Sequence, residues 1–212
     1  MTAMRQTVDE FKEALLHLDR IGASAILDRL QPEISNLELV SQIVVPAMEQ
    51  IGDGWERGSL ALSEIYMSGR ICEQIIDQLL PPNSELRKHQ PRMGIVVLDD
   101  FHFLGKRVVH SQIRSAGFEL QDYGRKTADQ LVAAIRADEL EIVFISTLMY
   151  PSALQVKEVR SQIDSIAHPV KIVVGGAPFN MDEQLWQAVG ADAMCGNGSE
   201  AVKYIHRFME RK

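Results

Sequence analysis

The stretch that decides the fold is Met93–Gly105, which reads MGIVVLDDFHFLG. Its first six residues are almost entirely apolar, so a strand formed there is expected to be buried on both faces, as in a parallel sheet between helix layers. Asp99, Asp100 and His102 follow, and a helical segment begins near Leu104. The stretch therefore predicts a buried strand, a loop that carries acid and imidazole groups, and a helix.

The same alternation recurs to the end of the chain. Strands are predicted at Met93–Leu98, Phe118–Tyr123, Glu141–Thr147, Lys171–Val174 and Ala193–Cys195, and helices are predicted to begin near Leu104, Thr127, Ser152, Met181 and Ser199. Alternating strands and helices predict a five-stranded parallel sheet with right-handed crossovers, in a doubly wound, Rossmann or flavodoxin-like α/β fold. In such folds, ligands bind beyond the carboxyl ends of the strands, where the strand order reverses.

The ends of these predicted strands carry residues suited to a ligand. They are Asp99–His102, Thr147–Pro151, Gly175–Ala177 and Gly196–Gly198. Glycine lets the backbone approach a ligand closely. The sequence therefore predicts a crevice lined by an acid, an imidazole, hydroxyl groups and bare backbone.

Residues 1 to about 80 show helical periodicity and no strand-like alternation. Short connections between the segments favour an antiparallel four-helix bundle. Pro46 lies inside one apolar segment and predicts a kink there. Pro81–Ser84 is predicted to end the last helix, and the polar stretch up to Pro91 is predicted to link two domains, 1–88 and 89–212.

Composition limits the classes of function. The chain has 212 residues and a formal net charge of −7 without a basic run, which argues against a nucleic acid or an anionic membrane as partner. No apolar run is long enough to cross a bilayer, and the N-terminus lacks an apolar signal core. Cys72 and Cys195 form no paired motif, so reduced thiols in a cytoplasmic protein are expected.

One motif carries the chemistry. Asp100, His102 and Gly105 are spaced as D-x-H-x-x-G, and Lys106 follows. This pattern resembles the cobalamin-binding signature of methionine synthases, corrinoid methyltransferase proteins and base-off mutases. The likeness extends over nearly all of residues 92–210 through GFELQDYG at 117–124, STLMY at 146–150, VGGA at 174–177 and GADA at 190–193. The segments at 51–58 and 62–66 resemble the helical cap of the same proteins.

The resemblance implies a bound cobamide such as cobalamin or methylcobalamin. His102 would be the lower axial ligand of cobalt, and Asp100 would accept a hydrogen bond from the other ring nitrogen of His102. Gly105 would open a slot for the displaced nucleotide tail, with Ser146 and the backbone near Gly175 lining it. The full set of cofactor-binding residues implied is Asp100, Phe101, His102, Phe103, Leu104, Gly105, Ser146, Leu148, Met149, Tyr150, Gly175, Gly176, Ala177, Gly196 and Asn197.

The resemblance also implies a cap and partner proteins. An apolar helix face that includes Ala61, Ile65, Tyr66 and Gly69 would shield the corrin. The protein would be a corrinoid carrier, not catalytic alone, between a donor methyltransferase and an acceptor methyltransferase, with a reductive activator. The donor would be a methoxylated aromatic compound, methanol or a methylamine.

Taken alone, several of these residues have plainer interpretations. His102 has the alternative of an ordinary histidine in a loop, and Asp100 that of a helix N-cap, a position that Asp99 fits equally well. Gly175 and Gly176 are also typical of a strand-to-loop turn. Ser146 also suits a strand end as a small residue, and Ile65 and Tyr66 are also typical of a helix core.

Departures from the family pattern leave other functions open. Tyr150 stands where threonine is frequent, and Phe103-Leu104 where Asp-Ile is common. A cobalamin-dependent sensor or regulator is one alternative, although light sensors usually carry Glu-His where this chain has Ile65-Tyr66. A subunit of an adenosylcobamide mutase and a flavodoxin-like domain without cofactor are the others.

Overall fold

Two structural units make up the computed structural model, which describes residues 2–80, 89–164 and 169–211. The helical unit consists of Met1–His89 together with Ser111–Glu119. The sheet unit consists of Gln90–His110 and Leu120–Lys212. The predicted helix stop at Pro81–Ser84 and most of the predicted linker lie outside the described residues.

The helical unit begins with α1 and α2 and continues through a run of three joined elements to α5. Their bounds are α1 Thr2–Leu16, α2 Arg20–Leu30, α3 Asn36–Leu39, a π-helical turn Val40–Val44, α4 Val45–Glu56 and α5 Leu62–Leu79. Helix α1 packs against α2, α4 and α5 around a core in which Phe11, Leu15 and Ile51 are fully buried. Because α3, the π turn and α4 are continuous, residues 2–80 form four helical segments, and a helical N-terminal region is confirmed.

Pro46 lies in the first turn of α4, directly after the π turn. The amide of Val45 donates to the carbonyl of Val40, five residues back, in the wider hydrogen-bond pattern of a π helix. A proline has no amide to continue the regular pattern. The irregularity that the sequence predicts at Pro46 therefore takes the form of a π turn within a continuous helix.

The sheet unit alternates strands and helices. Its elements are β1 Met93–Leu98, α6 Leu104–Ser115, β2 Gln121–Lys126, α7 Ala128–Ala137, β3 Ile142–Ser146, α8 Tyr150–Leu154, α9 Val156–Ile163, β4 Lys171–Gly175, α10 Ala177–Met181, α11 Leu185–Ala188, β5 Ala193–Met194 and α12 Gly198–Glu210. The last five residues of α6 belong to the helical unit. All strand pairs are parallel, in the order β2-β1-β3-β4-β5, which confirms the predicted flavodoxin-like sheet.

Some predicted bounds are wrong. Strand β2 begins at Gln121 and not at Phe118. Phe118 and Leu120 are buried, as strand residues often are, but they belong to the connection that precedes β2. The helix predicted near Met181 is replaced by α10, which ends there, and by α11. Asp182 follows α10, and its side chain accepts the amide of Gln184 at 3.0 Å, a local bond that competes with helix continuation.

Across the described ranges, no helix combines the length and the apolar character needed to cross a membrane.

Candidate functional site

Strands β1 and β3 are neighbours, and the chain leaves β1 in the opposite direction along the sheet to reach β2. The strand order therefore reverses between β1 and β3, and their parallel register pairs Val97 with Ser146 near the carboxyl ends. Asp100 comes just after β1, and Leu148 and Met149 come just after β3. The fold thus brings the two segments together at the point where an α/β sheet binds ligands.

Asp100 joins these two segments. Its carboxylate is almost fully buried, and Oδ2 accepts the amides of Leu148 at 2.7 Å and Met149 at 2.9 Å. Oδ1 accepts the amides of Phe101 at 2.7 Å and His102 at 3.2 Å. Helix α6 begins only at Leu104, so neither Asp100 nor Asp99 is its N-cap. The carboxylate instead holds the loop after β1 against the end of β3.

The remaining contact of Asp100 is with the ring of His102, whose Nδ1 lies 2.5 Å from Oδ1. Burial alone would raise the pKa of the Asp100 carboxyl, but hydrogen bonds from this ring and from backbone amides outweigh it and hold the pKa well below its usual range. An ionised carboxylate only accepts hydrogen bonds, so Nδ1 carries a hydrogen. The pair therefore fixes the tautomer in which Nε2 is the basic ring nitrogen.

The His102 side chain is 53% exposed, whereas its Asp100 partner is 1% exposed. An imidazole that is oriented by a buried acid and still reaches the surface is suited to binding a metal from outside the protein.

Gly105 lies at the second position of α6, where its conformation does not require glycine. A Cβ added there would meet only Ser146 Oγ, at an ordinary 3.9 Å. The packing of the described residues therefore does not require a glycine here. Glycine is also disfavoured in a helix, by about 1 kcal/mol relative to alanine. A methyl group would fit at this position in contact with Ser146, and the slot for a nucleotide tail stays a prediction.

Gly175 and Gly176 have a different origin. A Cβ on Gly175 would lie 2.7 Å from the carbonyl oxygen of Cys195, and one on Gly176 would lie 1.8 Å from that of Thr147. Gly176 also has a φ of 117°, in the region that favours glycine. Close backbone packing between strand ends accounts for both glycines, as the plainer interpretation of a strand-to-loop turn implies.

Large apolar side chains surround the site on the sheet unit. Those exposed to solvent are Phe101, Leu104, Leu148, Met149 and Tyr150. The ring of Phe101 lies 4.3 Å from the guanidinium of Arg125, and Phe103 lies 5.6 Å from the Lys106 amine. So many exposed apolar groups at the edge of one crevice indicate a surface that binds an apolar ligand or partner.

The other predicted residues of the sheet unit lie after β4 and β5. Ala177 begins α10, and Asn197 is the N-cap of α12, where its side chain accepts the amide of Glu200 at 2.9 Å. The amide of Gly196 donates to the Glu200 carboxylate at 2.7 Å. These contacts give Asn197 a structural role at the start of the helix.

The predicted cap residues lie at the start of α5 in the helical unit. Ala61 precedes the helix and is exposed, Tyr66 is half-buried, and Ile65 is fully buried. A Cβ on Gly69 would lie 3.0 Å from the Cβ of Ser111, within the same unit. Ile65 and Gly69 are therefore core positions of the helical unit, and a contact of these four residues with a cofactor stays a prediction.

Sequence reasoning noted Lys106 in the motif without a partner for it, and it missed the other polar residues that shape the site. The hydroxyl of Ser152 donates to the carbonyl of Asp99 at 2.8 Å, and buried Lys106 pairs with Asp122 across α6 and β2. Arg125 lies 3.6 Å from Asp99 as well as stacking on Phe101. The contact of Ser152 with Asp99 could have been predicted from the pairing of β1 with β3, because these residues follow the two strands. The position of Arg125 could not, because it depends on where β2 begins and ends.

Two models of a B12 binding domain match the chain. One matches residues 93–205, which is more than half of the chain, and the other matches residues 7–80. The first match covers the sheet region of the structure, and the second covers the N-terminal helical region.

Similar proteins extend over the same length. The chain is 27% identical to dimethylamine corrinoid protein 1 of Methanosarcina mazei, over 95% of both chains. It is 28% identical to monomethylamine corrinoid protein 1 of the same organism, over 98% of this chain and 100% of that one.

Solved structures share the fold. A cobalamin-binding protein from Desulfitobacterium hafniense has a TM-score of 0.77 and 22% identity, covering 95% of this chain and 98% of that one. A methanol:cobalamin methyltransferase complex from Methanosarcina barkeri has a TM-score of 0.70 and 18% identity, covering 98% of this chain and 81% of that one.

Proposed function

This chain belongs to the family of proteins with a B12 binding domain, and on that premise we propose that it carries a methyl group on a bound cobamide between two methyltransferases. The observation that carries the proposal is the buried Asp100 carboxylate, which orients the half-exposed ring of His102 at the switch point of the sheet. The curated relatives that share its length are corrinoid proteins of methylamine systems.

His102 Nε2 is the proposed lower ligand of cobalt. The bound cobamide would supply a cobalt–carbon bond that can be made and broken. Imidazole is a suitable ligand for this metal. Asp100 keeps Nδ1 protonated and the ring fixed, so that Nε2 is the nitrogen left to bind the metal.

The surroundings of His102 fit a large ligand with an apolar ring and a polar tail. Gly105 keeps a space open beside the Ser146 hydroxyl, where the nucleotide tail would enter. Leu148 and Met149, each about half exposed, would offer apolar surface to the ring and help to exclude water there. Tyr150, also exposed, would contribute to the same surface.

Two partner enzymes complete the proposed reaction. One would place a methyl group on the reduced cofactor, and the other would transfer it to an acceptor such as a folate or a thiol. A reductive activator would return cofactor that has become oxidised to its reduced state. The names of the relatives make a methylamine one candidate donor, beside methanol or a methoxylated aromatic compound. The carrier itself would bind, orient and protect the cofactor and would not catalyse either transfer alone.

The test is a visible absorption spectrum after incubation with hydroxocobalamin and removal of free ligand, for the wild type and for His102→Ala. The wild type should retain colour with the signature of a displaced lower base and histidine on cobalt. The variant should lose that signature, since no imidazole remains at this position. His110→Ala, which changes another histidine of the sheet unit, is the matched control and should keep it.

The outcome that contradicts the proposal is equally clear. If neither wild type nor variant retains a cobamide, or if both give the same spectrum, His102 is not the ligand. The bound alkyl group then decides between carrier and mutase. Stable binding and transfer of a methyl group supports the carrier, whereas a requirement for the deoxyadenosyl group would indicate a mutase subunit or a sensor.

A further inference from the structure

A cavity lies in the sheet unit, away from the proposed cofactor site. It has a volume of about 530 Å³ and is lined by Lys171, Asp192, Ala193, Tyr204, Arg207, Phe208 and Arg211. Lys171 begins β4, whereas Gly175 at the cofactor end closes the same strand. Four residues of extended strand span about 13 Å, so the cavity lies near the amino ends of the strands, opposite the carboxyl ends where the cofactor site is proposed.

One face of α12 forms a wall of this cavity. Arg207, Phe208 and Arg211, the C-cap residue, lie three, four and seven residues after Tyr204, which places the four on one side of the helix. Rings and guanidinium groups therefore alternate along the cavity. Tyr204 and Phe208 are half-buried, and both arginines are exposed.

The cavity is positively charged. Its one carboxylate, Asp192, is already engaged: Oδ1 accepts from the Lys171 amine at 2.9 Å, and Oδ2 accepts the Ile172 amide at 2.8 Å and the Arg160 guanidinium. Within the described ranges, no carboxylate pairs with Arg207 or Arg211, and the one side-chain hydrogen bond of Arg207 runs from Nε to the carbonyl of Lys203. The two terminal guanidinium groups are available to an anion.

We propose that this cavity binds an aromatic ligand that bears a carboxylate or phosphate group. Arg207 and Arg211 would hold the anion, because guanidinium groups bind both kinds of oxyanion through paired hydrogen bonds. The rings of Tyr204 and Phe208 would pack against the planar part of the ligand. The volume is in the range of cavities that bind small molecules. This site is distinct from the cofactor site and uses none of its residues.

The test is isothermal titration calorimetry of the full chain loaded with hydroxocobalamin, so that the cofactor end is occupied. Two anions are each compared with a neutral counterpart: adenosine 5′-monophosphate with adenosine, and benzoate with benzyl alcohol. At least one anion should bind about tenfold tighter than its counterpart, and the arm that responds distinguishes phosphate from carboxylate. That preference should disappear in the double variant Arg207→Gln/Arg211→Gln.

Two further variants separate binding from a general effect on structure. Lys157→Gln removes an exposed positive charge from α9, outside the cavity, and should leave the preference unchanged. Tyr204→Phe should retain affinity through its ring, while Tyr204→Ala should weaken it. The proposal is overturned if neither anion is preferred over its neutral counterpart, or if the preference survives in the double arginine variant. Neither outcome bears on cobamide binding, which the visible spectrum reports separately.

Discussion

Two glycines of the sheet unit differ in whether the fold requires them. Gly105 has room for a Cβ, whereas a Cβ on Gly175 would overlap the carbonyl oxygen of Cys195 at 2.7 Å. Both residues are glycines of the family pattern, yet only one of them is required by the packing of the chain itself. Their functions should therefore respond differently to the same substitution.

We expect Gly105→Ala to leave the cofactor-free protein as stable as the wild type, or more stable by up to about 1 kcal/mol, because alanine is the better helix former. The same variant should bind cobamide more weakly, since the methyl group enters the proposed slot. Gly175→Ala should lower the free energy of unfolding by about 1–3 kcal/mol, as expected for overpacking. Urea denaturation and equilibrium dialysis with hydroxocobalamin measure the two effects. A Gly105→Ala protein with unchanged affinity would contradict the proposed slot.

The pairing of Asp100 with His102 was predicted only through the resemblance of D-x-H-x-x-G to the cobalamin-binding signature, and the structure places both residues in one short loop after β1. The amides of Leu148 and Met149 as donors to Asp100 were not predicted, although both residues were named as site residues. That contact depends on which strand lies next to β1, and the hydrophobic pattern of a strand does not specify its neighbour.

At the level of elements, the sequence predicts the bounds of the central strands well. Strands β1, β3 and β4 begin and end within one residue of their predicted bounds, because burial on both faces gives them an unbroken apolar run. Strand β2 is an edge strand with one neighbour and mostly exposed or half-buried residues. Its polar sequence gave no such run, and the prediction followed the buried Phe118 and Leu120 instead.

The link between β4 and β5 depends on Asp192, which lies just before β5. Burial would raise the pKa of its carboxyl, but hydrogen bonds from Lys171 and the Ile172 amide, together with Arg160, lower the pKa below its usual value. A carboxyl with a lowered pKa in the folded state stabilises the fold above its unfolded pKa of about 3.9. This contribution is lost as the pH falls through the folded pKa.

Asp192→Asn should therefore lower the free energy of unfolding by about 1.5–3 kcal/mol at pH 7, the range for hydrogen bonds to a charged group. The difference from the wild type should shrink as the pH falls below about 4. Urea denaturation followed by the fluorescence of Trp186, in a Trp55→Phe background, reports on the sheet unit. Asp164→Asn is the control, because this side chain is 64% exposed and pairs with Arg160 only at 3.6 Å. A pH-independent difference for Asp192→Asn would contradict the argument.

At the level of the whole molecule, the boundary predicted at residue 88 divides the chain at one point, but the helical unit also includes Ser111–Glu119. Within this unit, Arg114 is nearly buried and pairs with Asp77 of α5 and with Glu119. The hydroxyl of Ser115 donates to the carbonyl of Gly69 at 3.2 Å. The sequence does not indicate that the end of α6 belongs to the helical unit, because α6 follows β1 like any crossover helix.

A fragment that ends at residue 88 loses these contacts, and its α5 exposes the surface that packs against Ser111 and Ser115. We expect the fragment to unfold at a lower urea concentration than the helical unit of the full chain, as reported by Trp55 in a Trp186→Phe background. In the full chain, Arg114→Gln should lower the stability reported by Trp55 by about 1–2 kcal/mol, because it removes charged hydrogen bonds to Asp77 and Glu119, whose carboxylates are partly exposed to water. Arg107→Gln, on an exposed position of the same helix, should have little effect. Equal midpoints for fragment and full chain would mean that residues 1–88 fold as an independent domain, and that the contacts from the end of α6 add nothing to their stability.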